Sequence, residues 1–213
     1  MVGFNRRFDP NFREVRRRIE AGAIGAVEMV QITSRDPAPP PPSYAARSGG
    51  MFRDMTIHDF DMARFLLGEE PVSVFAAASV LVDPAIGEAG DVDSAAVTLT
   101  TASGRICQIS NSRRATYGYD QRIEVHGSTG LLTAENVRAT TVEEANAAGY
   151  RRDPLLDFFM TRYTAAYQAE ISTFVAAVTS GAPLTPSGED GLKALLIADA
   201  ATLSAREKRV VML

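Results

Sequence analysis

The feature that most constrains the fold is a run of short strands spread between Val72 and Thr141. Val72 to Val82, Asp93 to Thr101, Arg105 to Ser112, Gln121 to His126 and Leu131 to Ala134 each carry β-branched or alternating apolar residues. Gly104 and the segment Gly127-Ser128-Thr129-Gly130 supply tight turns between neighbours. Consecutive strands with such short connections pair antiparallel, because a parallel pair needs a long crossover. The pattern predicts one meandering sheet.

Helical segments flank this run. Asp9 is placed to cap a helix that opens with Pro10, carries Phe12, Val15 and Ile19 on one face and stops at Gly22. Within it, Arg16-Arg17-Arg18 fans around the helix and reads as a solvated face. Val27 to Thr33 alternates as a strand and leads through Ser34-Arg35-Asp36 into Pro37 and Pro39 to Pro42, expected to be a stiff extended loop. Gly49-Gly50 closes that loop, and one helix is predicted from about Phe52 to Leu67. Residues 143–157 are weakly periodic and read as loop. Phe158 to Ser180 and Ser187 to about Arg206 read as two amphipathic helices, and Val210 to Leu213 as a last edge strand. The order implies an α+β fold, a largely antiparallel open sheet covered on one face by helices, with the other face left to meet a partner.

Composition bounds the function. The 213 residues are 46% hydrophobic and 23% charged, sufficient for one domain with a sizeable core. With 22 Lys and Arg against 26 Asp and Glu, the net charge of -4 provides no broad positive field for nucleic acid or an anionic membrane. One cysteine and two histidines exclude an internal disulfide and a Cys/His zinc site, leaving only an all-carboxylate metal site open. No stretch approaches the roughly 20 apolar residues of a membrane span, so a cytoplasmic location is expected by default.

The densest polar cluster is Arg53-Asp54-Met55-Thr56-Ile57-His58-Asp59-Phe60-Asp61. Four residues apart on one helix, Asp54 and His58 would stack within hydrogen-bonding reach. A carboxylate raises an imidazole pKa and a helix N-terminus lowers it, so the balance could leave a base poised near neutrality. Equally, the pair could be an ordinary half-buried histidine beside an acid. Its position just after a Gly-Gly break and a proline-stiffened loop favours a site. His126, at a strand end before Gly127, and Cys107, within an apolar strand, read as structural. Gly127 to Gly130 has no preceding nucleotide-binding strand and following helix, so it is a hairpin turn rather than a phosphate loop.

The segment Gly49 to Asp61 resembles the substrate-domain signature of the glucose-fructose oxidoreductase and inositol dehydrogenase (Gfo/Idh/MocA) family. Gly3-Phe4-Asn5-Arg6-Arg7-Phe8-Asp9-Pro10, Ser34-Arg35-Asp36-Pro37, Tyr117-Gly118-Tyr119-Asp120-Gln121-Arg122 and Arg162-Tyr163 with Ala166-Tyr167 resemble its inositol 2-dehydrogenase branch in the same order. The resemblance implies that Asp54 and His58 are the catalytic pair in oxidation of a ring secondary alcohol of a small polyol, with NAD or NADP as cofactor. It implies substrate contacts at Asp36, Thr56, Tyr119 and Tyr167 and places Asn5 and Arg6 near the seam between two halves. Tyr117 and Tyr163 could as well be rim or core aromatics. A homodimer or homotetramer through the open sheet face is also implied.

The family's complete members carry a Gly-rich phosphate loop and a Glu-Lys-Pro segment, and neither is found among these residues. Residues 1–8 therefore read as the end of a nucleotide-binding domain and 9–213 as the substrate-binding and oligomerisation domain. The isolated chain is expected to be inactive.

Overall fold

The computed structural model describes residues 1–213. After a 3-10 turn at Asn5–Phe8, helix α1 (Pro10–Glu20) begins as anticipated: Asp9 accepts from the backbone N–H groups of Asn11 and Phe12, and Pro10 takes the first helical position. Strand β1 (Val27–Arg35) follows, then α2 (Pro42–Ser48), α3 (Met51–Asp54), α4 (Ile57–Leu67), β2 (Pro71–Ser79), α5 (Pro84–Glu88), β3 (Ser94–Thr101), β4 (Ile106–Ser112), β5 (Asp120–Gly127) and β6 (Gly130–Ala134). A small hairpin of β7 (Glu143–Asn146) and β8 (Gly149–Arg152) precedes α6 (Phe159–Arg162), α7 (Thr164–Ser180), α8 (Gly188–Glu207) and β9 (Val211–Met212).

The α+β class and the largely antiparallel open sheet hold. Seven strands run in the order β6-β5-β1-β4-β3-β2-β9. Pairing is sequential for β2-β3-β4 and for β5-β6, but β1 lies between β4 and β5, parallel to β4 and antiparallel to β5. The meander is thus interrupted at one place, where the link between β4 and β5 passes over the end of β1. Val30, Ile32, Val97, Leu99, Cys107, Ile109, Ile123 and Val125 form the inward row, each at most 3% exposed. Helices α4 and α8 cover that row, and the facing polar row of Gln31, Thr33, Gln108 and Arg122 lies on the opposite side.

Three local expectations change. The proline segment is extended only as far as Pro41, since Pro42 opens α2: a proline is tolerated in the first helical turn, where its missing N–H is not needed. The anticipated helix from Phe52 to Leu67 is two helices. The N–H groups of Met55 and Thr56 both donate to Met51 O, so the ladder slips by one residue before α4 starts. The helix expected from Phe158 likewise breaks at Tyr163. Residues 143–152, read as loop, form the β7-β8 hairpin. Every residue of both strands is exposed, so no buried face imposed an apolar alternation on the sequence.

Candidate active site

Three strand ends converge at one end of the sheet. Arg35 closes β1 beside Ser112, which closes the parallel β4, and it also faces Asp120, which opens β5. Because β1 and β4 run the same way, the residues that follow them, Asp36 and Arg113, emerge together, and Asp36 N donates to Ser112 O at 3.0 Å. The junction between α3 and α4 sits over this end. It is fastened there by the buried Thr56 hydroxyl, which donates to Asn111 Oδ1 at 2.9 Å.

Asp54 ends α3 and is held at both oxygens. Oδ1 accepts from the Tyr44 hydroxyl at 2.6 Å, and Oδ2 accepts from Arg113 Nη2 at 3.0 Å. His58, in the first turn of α4, is half-buried, with its ring edge-to-face against Phe4 at 5.9 Å. Its Nδ1 is buried and without a partner. The expected hydrogen bond between Asp54 and His58 is not formed: the break at Met55-Thr56 puts the two on different helices, and Asp54 is engaged elsewhere. Burial and the charge of Arg6 lower the imidazole pKa to about 4, against an upward pull from Asp54. His58 is therefore neutral at physiological pH, rather than poised near its midpoint.

Below the pair lies a buried polar network. Arg6 Nη1 is paired with Asp59 Oδ1, and Arg6 Nη2 donates to Ser34 Oγ at 3.1 Å. Asn111 Nδ2 donates to the second Asp59 oxygen at 2.8 Å. Gln121 joins Ser34 to the Tyr163 hydroxyl, which donates to Gln121 Oε1 at 3.1 Å. Asp36 stands at the edge of this network and makes no side-chain hydrogen bond within the chain. Burial raises its pKa to about 6, partly offset by Arg113 and Arg6. Tyr119 is buried edge-to-face against Tyr163 at 6.0 Å, and burial and Tyr163 hold its hydroxyl above the usual range. Tyr167, on α7, is half-buried, with its hydroxyl pKa raised by burial and by Glu170.

A family model described as the GFO/IDH/MocA C-terminal domain matches residues 12–133. The chain belongs to the GFO/IDH/MocA family. It is 67% identical over 211 residues to an inositol 2-dehydrogenase of Rhizobium meliloti (strain 1021), a match covering 99% of this chain and 64% of that protein. It is 56% identical over 212 residues to a myo-inositol 2-dehydrogenase of Thermotoga maritima, covering 100% of this chain and 64% of that protein. A crystal structure of a scyllo-inositol dehydrogenase from Lactobacillus casei with bound NAD(H) and scyllo-inositol superposes with a TM-score of 0.90 at 27% identity, covering 100% of this chain and 64% of that one. The chain thus spans slightly less than two thirds of the length of these relatives.

Within this member of the GFO/IDH/MocA family, Arg6, Asp36, Asp54, His58 and Tyr119 share one electrostatic neighbourhood. Tyr167 joins it from α7 through Arg6. Thr56 is fully buried beneath the pair, with its hydroxyl committed to Asn111. Asn5 is 4% exposed and leaves Nδ2 without a partner. Tyr117 belongs to the rim, donating to Asp120 Oδ2 at 2.6 Å and accepting from Arg35 at 3.0 Å. Gly118, at φ 121°, lets Tyr117 and Tyr119 diverge: a Cβ there would lie 2.6 Å from Leu155 Cβ. His126 is at the surface with Nδ1 3.2 Å from Glu28, and Cys107 is a fully buried core residue.

Arg113, Tyr44 and Asn111 were not singled out from sequence, and Asp59, Ser34 and Gln121 stood there only within motifs, with no role of their own. Asn111 and Arg113 reach the site because β4 runs parallel beside β1, a pairing that no local sequence signal announces. No group of three or more His, Cys, Asp or Glu side chains is placed to hold a metal ion, and no helix is long and apolar enough to cross a membrane.

Proposed function

We propose that this chain holds the substrate in a nicotinamide-dependent dehydrogenase, using NAD or NADP, that oxidises a ring secondary alcohol of an inositol. The observation that carries this reading is His58: a neutral imidazole with a buried, unpartnered Nδ1, sharing an electrostatic neighbourhood with Asp54 and Arg6. The similarity to inositol 2-dehydrogenases supports the choice of substrate.

The residues present suit a nicotinamide beside them. Asn5 Nδ2 and Glu170 Oε1 are a buried donor and a buried acceptor without partners, and Glu170 Oε1 lies 3.9 Å from a Cβ position on Gly3. Buried polar atoms of this kind are expected to meet a ligand or a further segment of protein, and a carboxamide carries both N–H donors and an acceptor oxygen to match them. When bound, the nicotinamide ring supplies the hydride acceptor for the carbinol carbon. His58 takes the hydroxyl proton, and the fixed negative charge of Asp54 favours the imidazolium that results. Asp36, Tyr119 and Tyr167 orient the remaining hydroxyls. Thr56, Asn5 and Arg6 hold the floor of the site, Arg6 through Asp59 and Ser34.

The uncovered sheet face, with Gln, Thr and Ser rows and the 40% exposed Phe75, is inferred to pair with a second copy, and the cytoplasm is the inferred compartment. The test is turnover by the full-length protein, with NAD and with NADP, across myo-inositol, scyllo-inositol and glucose. The reading expects inositol oxidation to exceed glucose oxidation in kcat/KM. Polyol binding with no reduced cofactor formed on any of them would contradict it and favour a non-catalytic binding module.

A further inference from the structure

Asp54 is held by two residues that approach it from different parts of the fold. Arg113 follows β4 and is 2% exposed, and its Nη2 lies 3.0 Å from Asp54 Oδ2 and 3.7 Å from Asp91 Oδ2. Asp91 also accepts from Met51 N at 2.8 Å, so one buried guanidinium sits between the first residue of α3 and the last. The passage of the chain over Asp91 needs Gly50, whose φ is 87° and whose Cβ, if present, would lie 3.1 Å from Asp91 Oδ1. From the other side, Tyr44 is 48% exposed on α2 and donates to Asp54 Oδ1 at 2.6 Å. Hydrogen bonds to a charged group are stronger than neutral ones, and two of them on separate oxygens fix the plane of the carboxylate as well as its charge. His58 then faces a fixed charge instead of a hydrogen-bonding partner.

We propose that Arg113 and Tyr44 are positioning residues that hold the Asp54 carboxylate turned away from hydrogen bonding with His58, so that His58 alone takes the substrate proton. This rests on the dehydrogenase reading. Arg113 sets the carboxylate from the buried side. Tyr44 completes the grip from the exposed side, carried by α2.

Two variants of the full-length protein test the proposal. Tyr44→Phe removes one donor at an exposed position, and Arg113→Lys keeps a cation but loses the planar guanidinium that fixes Nη2 between Asp54 and Asp91. Each is expected to lower kcat on myo-inositol by roughly tenfold while KM stays within about twofold. A freed Asp54 hydrogen-bonds His58 and turns the imidazole from the substrate hydroxyl, which lowers kcat, and its closer charge shifts the acid limb of the kcat/KM profile to higher pH. An NMR titration of the His58 imidazole, assigned by its loss in His58→Ala, shows the same upward shift without relying on turnover. If Arg113→Lys fails to fold, Tyr44→Phe decides alone. Parental kcat and an unmoved His58 titration in Tyr44→Phe, with His58→Ala inactive, would overturn the proposal and leave the dehydrogenase reading standing. Normal turnover by His58→Ala would overturn both.

Discussion

The guanidinium of Arg6 and the carboxylate of Asp59, 53 positions apart, form a buried ion pair beneath the candidate site, with side chains 7% and 0% exposed. Removing one partner of a buried pair leaves an uncompensated charge, which costs about 3–5 kcal/mol. Asp59→Asn is therefore expected to lose stability of that order, read as a lower denaturant midpoint. An unchanged midpoint would mean that the pair contributes no net stability.

Thr56 fastens the α3-α4 junction to β4. Thr56→Val keeps the shape but strands Asn111 Oδ1, at an expected cost of about 1–3 kcal/mol, whereas Thr56→Ser keeps the donor and most of the stability. A Thr56→Val midpoint equal to the parent's would show that the hydroxyl does not matter, and Thr56→Ser measures the loss of the buried methyl separately.

Two groups at the site have opposite pH linkages. The His58 pKa is about 4 in the fold against an ordinary 6.5, so the unfolded chain binds more protons between those values. Its contribution is present above about pH 6.5 and is lost as pH falls toward 4. Asp36 is raised from 3.8 to about 6, so its contribution is present below about pH 3.8 and is lost as pH rises through 6. Between pH 4 and 6 the two slopes oppose each other. Asp36→Asn removes one of them: the variant should be more stable at pH 7 by roughly 1–3 kcal/mol and should lose stability more steeply from pH 6 to 4. Superimposable stability curves for parent and variant would contradict these assignments.

The sheet was legible because Gly104 and Gly127 to Gly130 punctuate alternating runs, and each turn is a local signal. The place of β1 was not, since its parallel pairing with β4 joins residues some 77 positions apart, as in Met29 with Ile106, and no neighbouring residue encodes it. The same long-range pairing explains why Arg113 escaped notice while Asp36 did not: it comes to Asp54 through tertiary structure alone. Asp54 and His58 were visible as a spaced pair, but the spacing implied one helix. The slipped ladder at Met55-Thr56, with Thr56 bonded to Asn111, replaced the expected contact with two others. Tyr44 was hidden for another reason, since the proline run pointed to an extended segment and Pro42 instead starts a helix.

His58 is proposed as the base for oxidation of an inositol hydroxyl. The role is tested by kcat/KM on myo-inositol for full-length protein and its His58→Ala variant, with inositol binding measured calorimetrically on both. The variant is expected to lose about 10²- to 10⁴-fold with binding retained within a few-fold. A His58→Ala protein that turns over inositol within about twofold of the parent would contradict it.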